Sequence, residues 1–288
     1  MLSNDNNISP ALSKSFYQIT DRSSLIDISE SSINTENIYF SILAAGKSLR
    51  MKASGFQLPK LLFPLEDNET LLSRTASQVR ELSHHPIRLV VRSENYASVE
   101  NYIVQSCLDN FKLLIDDNPL GHASAVQVAV RDIDANYGTV IILWCDMLYR
   151  SVTIKKSISL HYALHQNQGL TMPTTTLNHP YASIKRDLDG NVEKLLFHSS
   201  GDCIPSFGED NVGIFIFNLN SLRTYLSVLE ETNWKNGCPR QMDSIIQTSL
   251  DMGELFAPRI ASRSDYLNIN SPDDYDRFQR ENMCCKES

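Results

Sequence analysis

The chain has 288 residues, of which 42% are hydrophobic and 21% charged, and its formal net charge at pH 7 is -8. This length is sufficient for one large buried core, since single α/β domains often reach roughly 200–250 residues. The acidic balance argues against a nucleic-acid binder and against a protein of the membrane surface, because both usually carry a basic face. Six scattered cysteines without a C-x-x-C pair indicate free thiols in a reducing cytoplasm rather than a zinc site.

Residues 1–37 are rich in Ser, Asn and Asp and show no sustained hydrophobic periodicity, so we predict a weakly ordered N-terminal leader. Residues 38–280 are predicted to form one domain, and residues 281–288 a polar C-terminal tail. No apolar run approaches the roughly 20 residues that a membrane helix needs. We therefore expect a cytoplasmic protein without a membrane partner.

Short apolar runs that end at polar or turn residues predict buried parallel strands in the first half of this domain. They cover residues 38–45, 87–91, 111–115 and 139–145. Amphipathic stretches at 70–82 and 124–133 predict crossover helices between them. Strands that alternate with helices in this way predict an α/β fold with a Rossmann-like sheet flanked by helices.

The pattern changes after residue 170, where longer strands are predicted. They cover residues 181–186, 192–197 and 212–217, and the dipeptide Asp189-Gly190 predicts a hairpin turn between the first two. Helices are predicted at 221–229 and 242–250. The sheet is therefore expected to be mixed rather than purely parallel.

The first strand runs into a loop of small residues followed by cations, Leu43-Ala44-Ala45-Gly46-Lys47-Ser48-Leu49-Arg50-Met51. Small side chains let backbone N–H groups approach phosphate oxygens closely, and Arg50 can offer two parallel donors to them. Leu43, Ala44, Ala45, Gly46 and Lys47 are therefore candidate nucleotide-binding residues. By itself the loop favours an ordinary strand-to-helix turn with incidental charges.

A second motif, Leu58-Pro59-Lys60-Leu61-Leu62-Phe63-Pro64-Leu65, places one lysine between two prolines that stiffen the segment. Together the two motifs resemble the signature of the nucleotidyltransferase superfamily, which includes sugar-1-phosphate, molybdenum-cofactor and isoprenoid-precursor nucleotidylyltransferases. The resemblance extends over residues 38–278 and is greatest to bacterial N-acetylglucosamine-1-phosphate uridylyltransferases. It implies the nucleotide-diphospho-sugar transferase fold and Mg²⁺-dependent transfer of a nucleoside monophosphate from an NTP. Arg50 and Lys60 would be the catalytic residues that neutralise the triphosphate.

Further matches to this superfamily lie at the ends of other predicted elements. Gly121 and His122, in a Gly-His-Ala at a helix start, match a nucleotide-binding segment. Asp146 follows the strand at 139–145, where carboxyl ends of strands open onto the ligand crevice, and it matches an aspartate that binds magnesium and nucleotide. Asn270, with Asn268 as the reserve, matches the second metal ligand, and its amide oxygen suits Mg²⁺. Helix capping is the alternative interpretation of both Asp146 and the segment after Asn270.

The acceptor side departs from the uridylyltransferase pattern. Asn211 matches an asparagine that contacts the acceptor sugar, but Ala182 stands in the place of a glycine and Phe197 in the place of a sugar-binding glutamate. Asp117 stands near the place of a uracil-reading glutamine, and an ionised carboxylate accepts hydrogen bonds but cannot donate them. UTP, CTP and GTP therefore stay open, as do sugar 1-phosphates and non-sugar phosphates or phosphonates.

Two other classes of function remain alternatives. A catalytically degenerate member would bind nucleotide and act as a regulator. A glycosyltransferase has a similar sheet, but it typically carries an Asp-x-Asp motif, which is missing after the strand at 139–145. The expected partners are an NTP and a phosphorylated small-molecule acceptor, and self-association into a homo-oligomer is compatible with the sequence.

Overall fold

The computed structural model describes residues 35–65, 68–117, 120–165, 169–232, 234, 240–261 and 265–276. Residues 35–37 of the predicted leader form a 3₁₀ turn. The rest of the leader and the predicted tail at 281–288 lie outside the described residues, so the domain boundaries stay predictions.

A mixed sheet of seven strands lies at the centre of the fold. The strands within the described residues are β1 (Ile38–Ala44), β2 (Ile87–Val91), β3 (Phe111–Ile115), β4 (Thr139–Trp144), β5 (Met147–Tyr149), β6 (Leu170–Thr171), β7 (Thr174–Asn178), β8 (Ala182–Arg186), β9 (Val192–Phe197), β10 (Phe207–Asn211), β11 (Ile214–Asn218), β12 (Leu255–Phe256) and β13 (Tyr266–Asn268). The central sheet has the order β12-β6-β11-β4-β1-β2-β3. Strands β4, β1, β2 and β3 are parallel, whereas β11 pairs antiparallel with β4 and β6.

Helices surround the strands in the described part of the chain, and seven of them have both ends within it. They are α1 (Leu49–Ala53), α2 (Leu71–Val79), α3 (Ser93–Gln105), α4 (His122–Val130), α5 (Ser151–His165), α6 (Leu219–Glu231) and α7 (Met242–Asp251). Helix α2 begins at a capping box, in which Thr70 Oγ1 accepts the Ser73 N–H at 3.2 Å and Ser73 Oγ accepts the Thr70 N–H at 2.8 Å. Each of these bonds satisfies a donor that the first helical turn leaves free.

Alternate residues of β1 pack into two separate hydrophobic clusters, one on each face of the sheet. Tyr39 and Leu43 contribute to the cluster that holds residues of α4, α6 and α7, whereas Phe40 and Ile42 contribute to the cluster of α2, α3 and α5. Because both faces are covered, the strand is buried along its whole length and reads as a continuous apolar run. The fold is thus a helix–sheet–helix sandwich, and the predicted fold class is confirmed.

Most predicted strands match the structure closely. Strands β2, β3 and β9 have the predicted bounds, and β8 and β9 form the predicted antiparallel hairpin. Helices α3 and α5 and several short strands were not predicted. In α3 only Val99 is fully buried, and Tyr96, Tyr102 and Ile103 pack on the cluster while partly exposed, so the apolar stripe of this helix is narrow.

Three two-stranded sheets add to the central one, β7 with β10, β8 with β9, and β5 with β13. The last pair places the C-terminal segment beside the end of β4, because Asn268 pairs with Met147 and the Ile269 N–H donates to the Asp146 carbonyl at 2.8 Å. Among the described helices, none is long and apolar enough to cross a membrane.

Candidate active site

The first motif and Asp146 lie at the same edge of the sheet. Strands β1 and β4 are parallel neighbours in which Leu43 pairs with Trp144, and the Cys145 N–H donates to the Leu43 carbonyl at 3.2 Å. The loop that starts at Ala45 and the turn that holds Asp146 therefore leave the sheet side by side. This edge is where open α/β sheets bind their ligands.

Four predicted site residues from four separate segments form one polar network at this edge. Lys60 Nζ donates to Asp146 Oδ2 at 2.7 Å and to Asn270 Oδ1 at 3.1 Å. Arg50 Nη2 donates to the same Asn270 oxygen at 2.6 Å. The two predicted catalytic cations are thus in direct contact with the two predicted metal ligands.

Lys60 is held in the network by its local structure. Pro59, with φ of -53°, precedes a 3₁₀ turn at Lys60–Leu62, in which Leu61 and Leu62 are buried. Lys60 itself is 8% exposed. A buried ammonium is strongly destabilising unless it is paired, and Asp146 supplies the counter-charge.

Asn270 is held by the segment that follows β13. The Asp274 carboxylate accepts the N–H groups of Asn270 and Ser271, both at 2.9 Å, and the Ser271 hydroxyl at 3.0 Å. Asn270 Nδ2 donates to Asn268 Oδ1 at 2.7 Å, which turns the amide oxygen of Asn270 toward Lys60 and Arg50. Asn268, the reserve candidate, thus contacts Asn270 rather than the cations. The capping interpretation holds at the same time, since residues 272–276 are helical.

The oxygens of Asp146 and Asn270 fit a magnesium ion. Both lie within hydrogen-bond distance of one ammonium, and carboxylate and amide oxygens are the hard ligands that Mg²⁺ prefers. Within the described ranges, no group of three or more His, Cys, Asp and Glu residues forms a metal cage. This donor set suits a cation that completes its shell with water and substrate phosphates.

The small-residue loop exposes its polar part. Leu43, Ala44 and Ala45 are buried, so only their backbone groups can reach a ligand. Gly46 and Lys47 are exposed, and no atom lies within 4 Å of the position that a Cβ on Gly46 would take. The loop is therefore open on the side that would receive a phosphate.

Gly121 and His122 lie at the start of α4, against the end of β4. The His122 ring packs on the Trp144 ring with their centroids 4.7 Å apart. Burial lowers the pKa of His122, and nearby Asp243 and Asp146 offset this only partly, so the imidazole is neutral at pH 7. Trp144 was not among the predicted site residues, although an aromatic residue two positions before the strand-end carboxylate was a visible signal.

The predicted acceptor residues lie around the β8–β9 hairpin. Ala182 pairs directly with Phe197, and both side chains are buried in the hydrophobic cluster on the α4 side of the sheet. The Asn211 amide is engaged locally, since its Nδ2 donates to Asp210 Oδ1 at 3.0 Å and its Oδ1 accepts the Gly213 N–H at 3.0 Å. The surface that these residues present to a ligand is thus smaller than their predicted roles suggest.

Asp210 connects the strands of this region, although it was not among the predicted site residues. Its Oδ2 accepts the N–H groups of Tyr181 at 2.7 Å and Ala182 at 3.2 Å, and its Oδ1 accepts the Asn211 N–H at 2.7 Å. Burial raises the pKa of Asp210 to about 6, although these backbone donors favour the charged form. The carboxylate thus carries a desolvation penalty for joining β8 to β10.

Asp117 lies apart from the four-residue network. It is exposed and follows β3, which is an edge strand separated from β4 by β1 and β2. Its neighbour Asp116 is buried and accepts the Ser124 hydroxyl of α4 at 2.9 Å. The role of Asp117 in reading the base therefore stays a prediction.

Comparisons with curated proteins find relatives that match a large part of this chain. Bifunctional protein GlmU of Synechococcus sp. (strain CC9605) is 30% identical over 198 residues, which is 67% of this chain and 42% of the relative. The GlmU proteins of Bifidobacterium animalis subsp. lactis and Paraburkholderia phymatum are 28% identical over 200 residues and 26% identical over 243 residues. The matched residues make up 42% and 51% of these two relatives, and 67% and 83% of this chain. The chain thus spans about two fifths to one half of these relatives.

A solved structure shares the fold. It is a 2.76 Å crystal structure from Bacillus anthracis, of a protein assigned as a glucose-1-phosphate thymidylyltransferase in complex with sucrose. It superposes with a TM-score of 0.67 at 13% sequence identity, over 83% of this chain and 93% of that chain. The sequence profile of the MobA-like NTP transferase domain matches residues 40–203, which is more than half of the chain. The matched range includes the motifs at 43–51 and 58–65 and also Asp146. The chain therefore belongs to the family of MobA-like NTP transferase domains.

Proposed function

We propose that this protein is a nucleotidyltransferase that moves a nucleoside monophosphate from an NTP onto a phosphorylated small molecule and releases pyrophosphate. The contact of Lys60 and Arg50 with Asp146 and Asn270 carries the proposal. These residues bring two cations and two hard oxygen ligands to one point at the carboxyl ends of β1 and β4. Transfer of a nucleoside monophosphate from a triphosphate is promoted by both kinds of group at one point.

In the proposed reaction, a phosphate oxygen of the acceptor attacks the α-phosphorus of the NTP. A new P–O bond forms as the bond between the α-phosphorus and the oxygen of the β-phosphate breaks, and that oxygen leaves with pyrophosphate. Lys60 and Arg50 neutralise the charge that builds on the transferred and leaving oxygens. The Gly46 loop adds backbone N–H donors to the phosphates.

A magnesium ion held by Asp146 and Asn270 would supply further neutralisation of the phosphates. Lys60 can contact Asp146 and the nucleotide at the same time, because its ammonium has three donors. One donor can stay on Asp146 while another donates to a phosphate oxygen. No protein nucleophile is required, since positioning and charge neutralisation are the main catalytic contributions in transfers of this type.

For the acceptor, a sugar 1-phosphate is the first candidate. The structural relative from Bacillus anthracis is assigned to that substrate class, and this chain shares its fold. The base would lie near Gly121, His122 and the Trp144 ring, because the neutral His122 imidazole and the indole form an aromatic wall there. The nucleotide substrate stays open among UTP, dTTP, CTP and GTP.

A second candidate is a cytidylyl- or guanylyltransferase that acts on a non-sugar phosphate or phosphonate. The observation that favours it is the side chain of Phe197, which is buried, apolar and paired with Ala182. A phenyl ring buried in the hydrophobic cluster offers no acceptor for a sugar hydroxyl, so this position supplies no hydrogen bond for sugar selection.

The test is a matrix of the four NTPs and dTTP against a panel of phosphates, with pyrophosphate release as the measurement. The panel holds sugar 1-phosphates, amino-sugar 1-phosphates, choline phosphate, polyol phosphates and a phosphonate. We expect one pair to turn over well above the others, and EDTA to stop the reaction. Nucleotide binding without turnover of any pair would instead support the regulator alternative.

A further inference from the structure

The backbone of Arg240 is joined to the loop that begins α4. Its N–H donates to the Leu120 carbonyl at 3.1 Å, and its carbonyl accepts the Ala123 N–H at 2.8 Å. Gly121, between those two residues, has φ of 143°, and a Cβ at this position would overlap the Arg240 carbonyl group. The conformation of the Gly121 loop is therefore formed directly against the backbone of Arg240.

The side chain of Arg240 is anchored as well. Its Nη1 donates to Gln127 Oε1 on α4 at 2.7 Å, and its guanidinium lies 5.1 Å from the centre of the Trp234 ring, which is 5% exposed. Gln127 in turn donates to Glu230 Oε1 on α6 at 2.8 Å. A charge-assisted hydrogen bond and a cation–π contact thus fix where the Arg240 backbone lies.

We propose that Arg240 is a positioning residue for the nucleotide, acting through Gly121 and His122. This inference rests on the proposed function, in which these two residues contact the NTP. His122 already packs against Trp144, so a displacement of its loop moves the aromatic wall at the end of β4. Arg240 itself contacts the loop and α4, whereas the phosphate-binding cations form a separate network. Loss of the Arg240 side chain therefore weakens NTP binding without slowing the transfer step.

The test compares Arg240→Ala with Arg223→Ala under steady-state kinetics. Arg223 is a matched control, because from α6 it donates to the carbonyls of Ala135 at 2.9 Å and Ile133, just beyond the other end of α4. We expect Arg240→Ala to raise the KM for the NTP about tenfold, the size expected for the loss of one hydrogen bond to a charged group. The kcat and the acceptor KM should stay within about twofold of wild type, and Arg223→Ala should leave all three values unchanged.

Two further variants keep the inference testable if Arg240→Ala does not fold. Gln127→Ala removes only the side-chain anchor and should raise the NTP KM about threefold. Arg240→Lys keeps a cation over Trp234 and should restore most of the binding. Unchanged NTP KM values in Arg240→Ala and Gln127→Ala, or an equal rise in Arg223→Ala, would overturn the inference while the proposed function stands. A wild-type protein that turns over no pair would overturn both.

Discussion

Lys60 and Asp146 lie 86 residues apart in the sequence and form an ion pair of 2.7 Å in the structure. The side chain of Lys60 keeps 10% of its accessible surface and that of Asp146 keeps 26%, so the pair is shielded from water on most sides. Removing either partner leaves the other charge partly buried without its counter-charge. The pair thus couples the stability of this edge of the sheet to the chemistry proposed there.

Lys60→Ala is expected to lower kcat at least about 100-fold, because removing a preorganised charge stabiliser commonly has an effect of that size. The control is Lys52→Ala, in which an exposed lysine of α1, 3.7 Å from Glu94, is removed. Pyrophosphate release by the two variants measures the difference. An equal loss in both would mean that the general charge of the segment matters, and not the ammonium at Asp146.

Asp146→Asn should weaken divalent-cation binding at least about tenfold, since the amide lacks the charge of the carboxylate and ligand-sphere changes typically have effects of that order or more. Electron paramagnetic resonance of Mn²⁺ in the presence of nucleotide measures the binding directly. Asp109→Asn removes an exposed carboxylate just before β3, outside the predicted site, and should leave Mn²⁺ binding unchanged. If Asp146→Asn binds Mn²⁺ as wild type does, Asp146 is not the metal ligand.

Asp274→Ala should lower both stability and metal affinity, because the Asp274 carboxylate holds the backbone of Asn270 and Ser271. Loss of such a capping group costs about 1 kcal/mol of unfolding free energy, which corresponds to a fall in Tm of roughly 2–4 °C in a domain of this size. The half-saturating Mg²⁺ concentration should rise about tenfold. Asp273→Ala, which removes the exposed neighbouring carboxylate, provides the control for both measurements.

If Asp274→Ala lowers the Tm but leaves the half-saturating Mg²⁺ concentration unchanged, the effects on stability and on metal affinity are separate. Asp274 would then cap the helical turn at residues 272–276 without orienting Asn270. Competition of Mg²⁺ against bound Mn²⁺ gives the half-saturating Mg²⁺ concentration without turnover, so the comparison does not depend on the identity of the acceptor.

The buried carboxylate of Asp210 should make stability depend on pH. Burial raises the pKa of Asp210 from 3.8 to about 6 in the folded protein. Between these pH values the folded state binds more protons at this site than the unfolded chain, so this site lowers the unfolding free energy as pH rises. The unfolding free energy of Asp210→Asn relative to wild type should therefore rise by up to about 1.4 kcal/mol per pH unit from pH 4 to 6. The difference should level off above pH 7.

Urea denaturation of both proteins from pH 4 to pH 8 measures this difference. Asp187→Asn is a control of opposite sign, because a hydrogen bond from the Asn191 side chain and several backbone donors lower the pKa of Asp187 in the folded protein. That variant should lose stability relative to wild type as the pH rises through the acidic range. A flat difference curve for Asp210→Asn would show that the Asp210 carboxyl titrates normally.

The sequence predicted the central strands well, because buried parallel strands are continuous apolar runs bounded by polar residues. Strands β2 and β3 agree with the predicted bounds, and β1 and β4 differ by one residue at their ends. Short strands such as β5 and β13 were not predictable. Each has only three residues and exists because the other pairs with it, a relation between distant segments that no local pattern contains.

The candidate site was predictable only where a motif lies in one short segment. Gly46, Arg50, Lys60 and Asp146 each sit in a recognisable local pattern. Trp144, Asp210 and Arg240 were missed, since their importance comes from contacts with segments far away in sequence, such as the Gly121 loop in the case of Arg240. Each of these contacts depends on how the layers pack, which is a property of the whole chain.

By itself, the sequence determined the family, the α/β class and the residue types that we propose for binding a triphosphate, because small residues, cations and strand-end carboxylates act through local chemistry. Only the tertiary structure decided that Asn270 meets Lys60 and Arg50, that Asp274 holds Asn270, and that Arg240 shapes the loop at Gly121. The physical reason lies in the pairing of β13 with β5 and the burial of both sheet faces. These long-range interactions bring together side chains that are up to 220 residues apart.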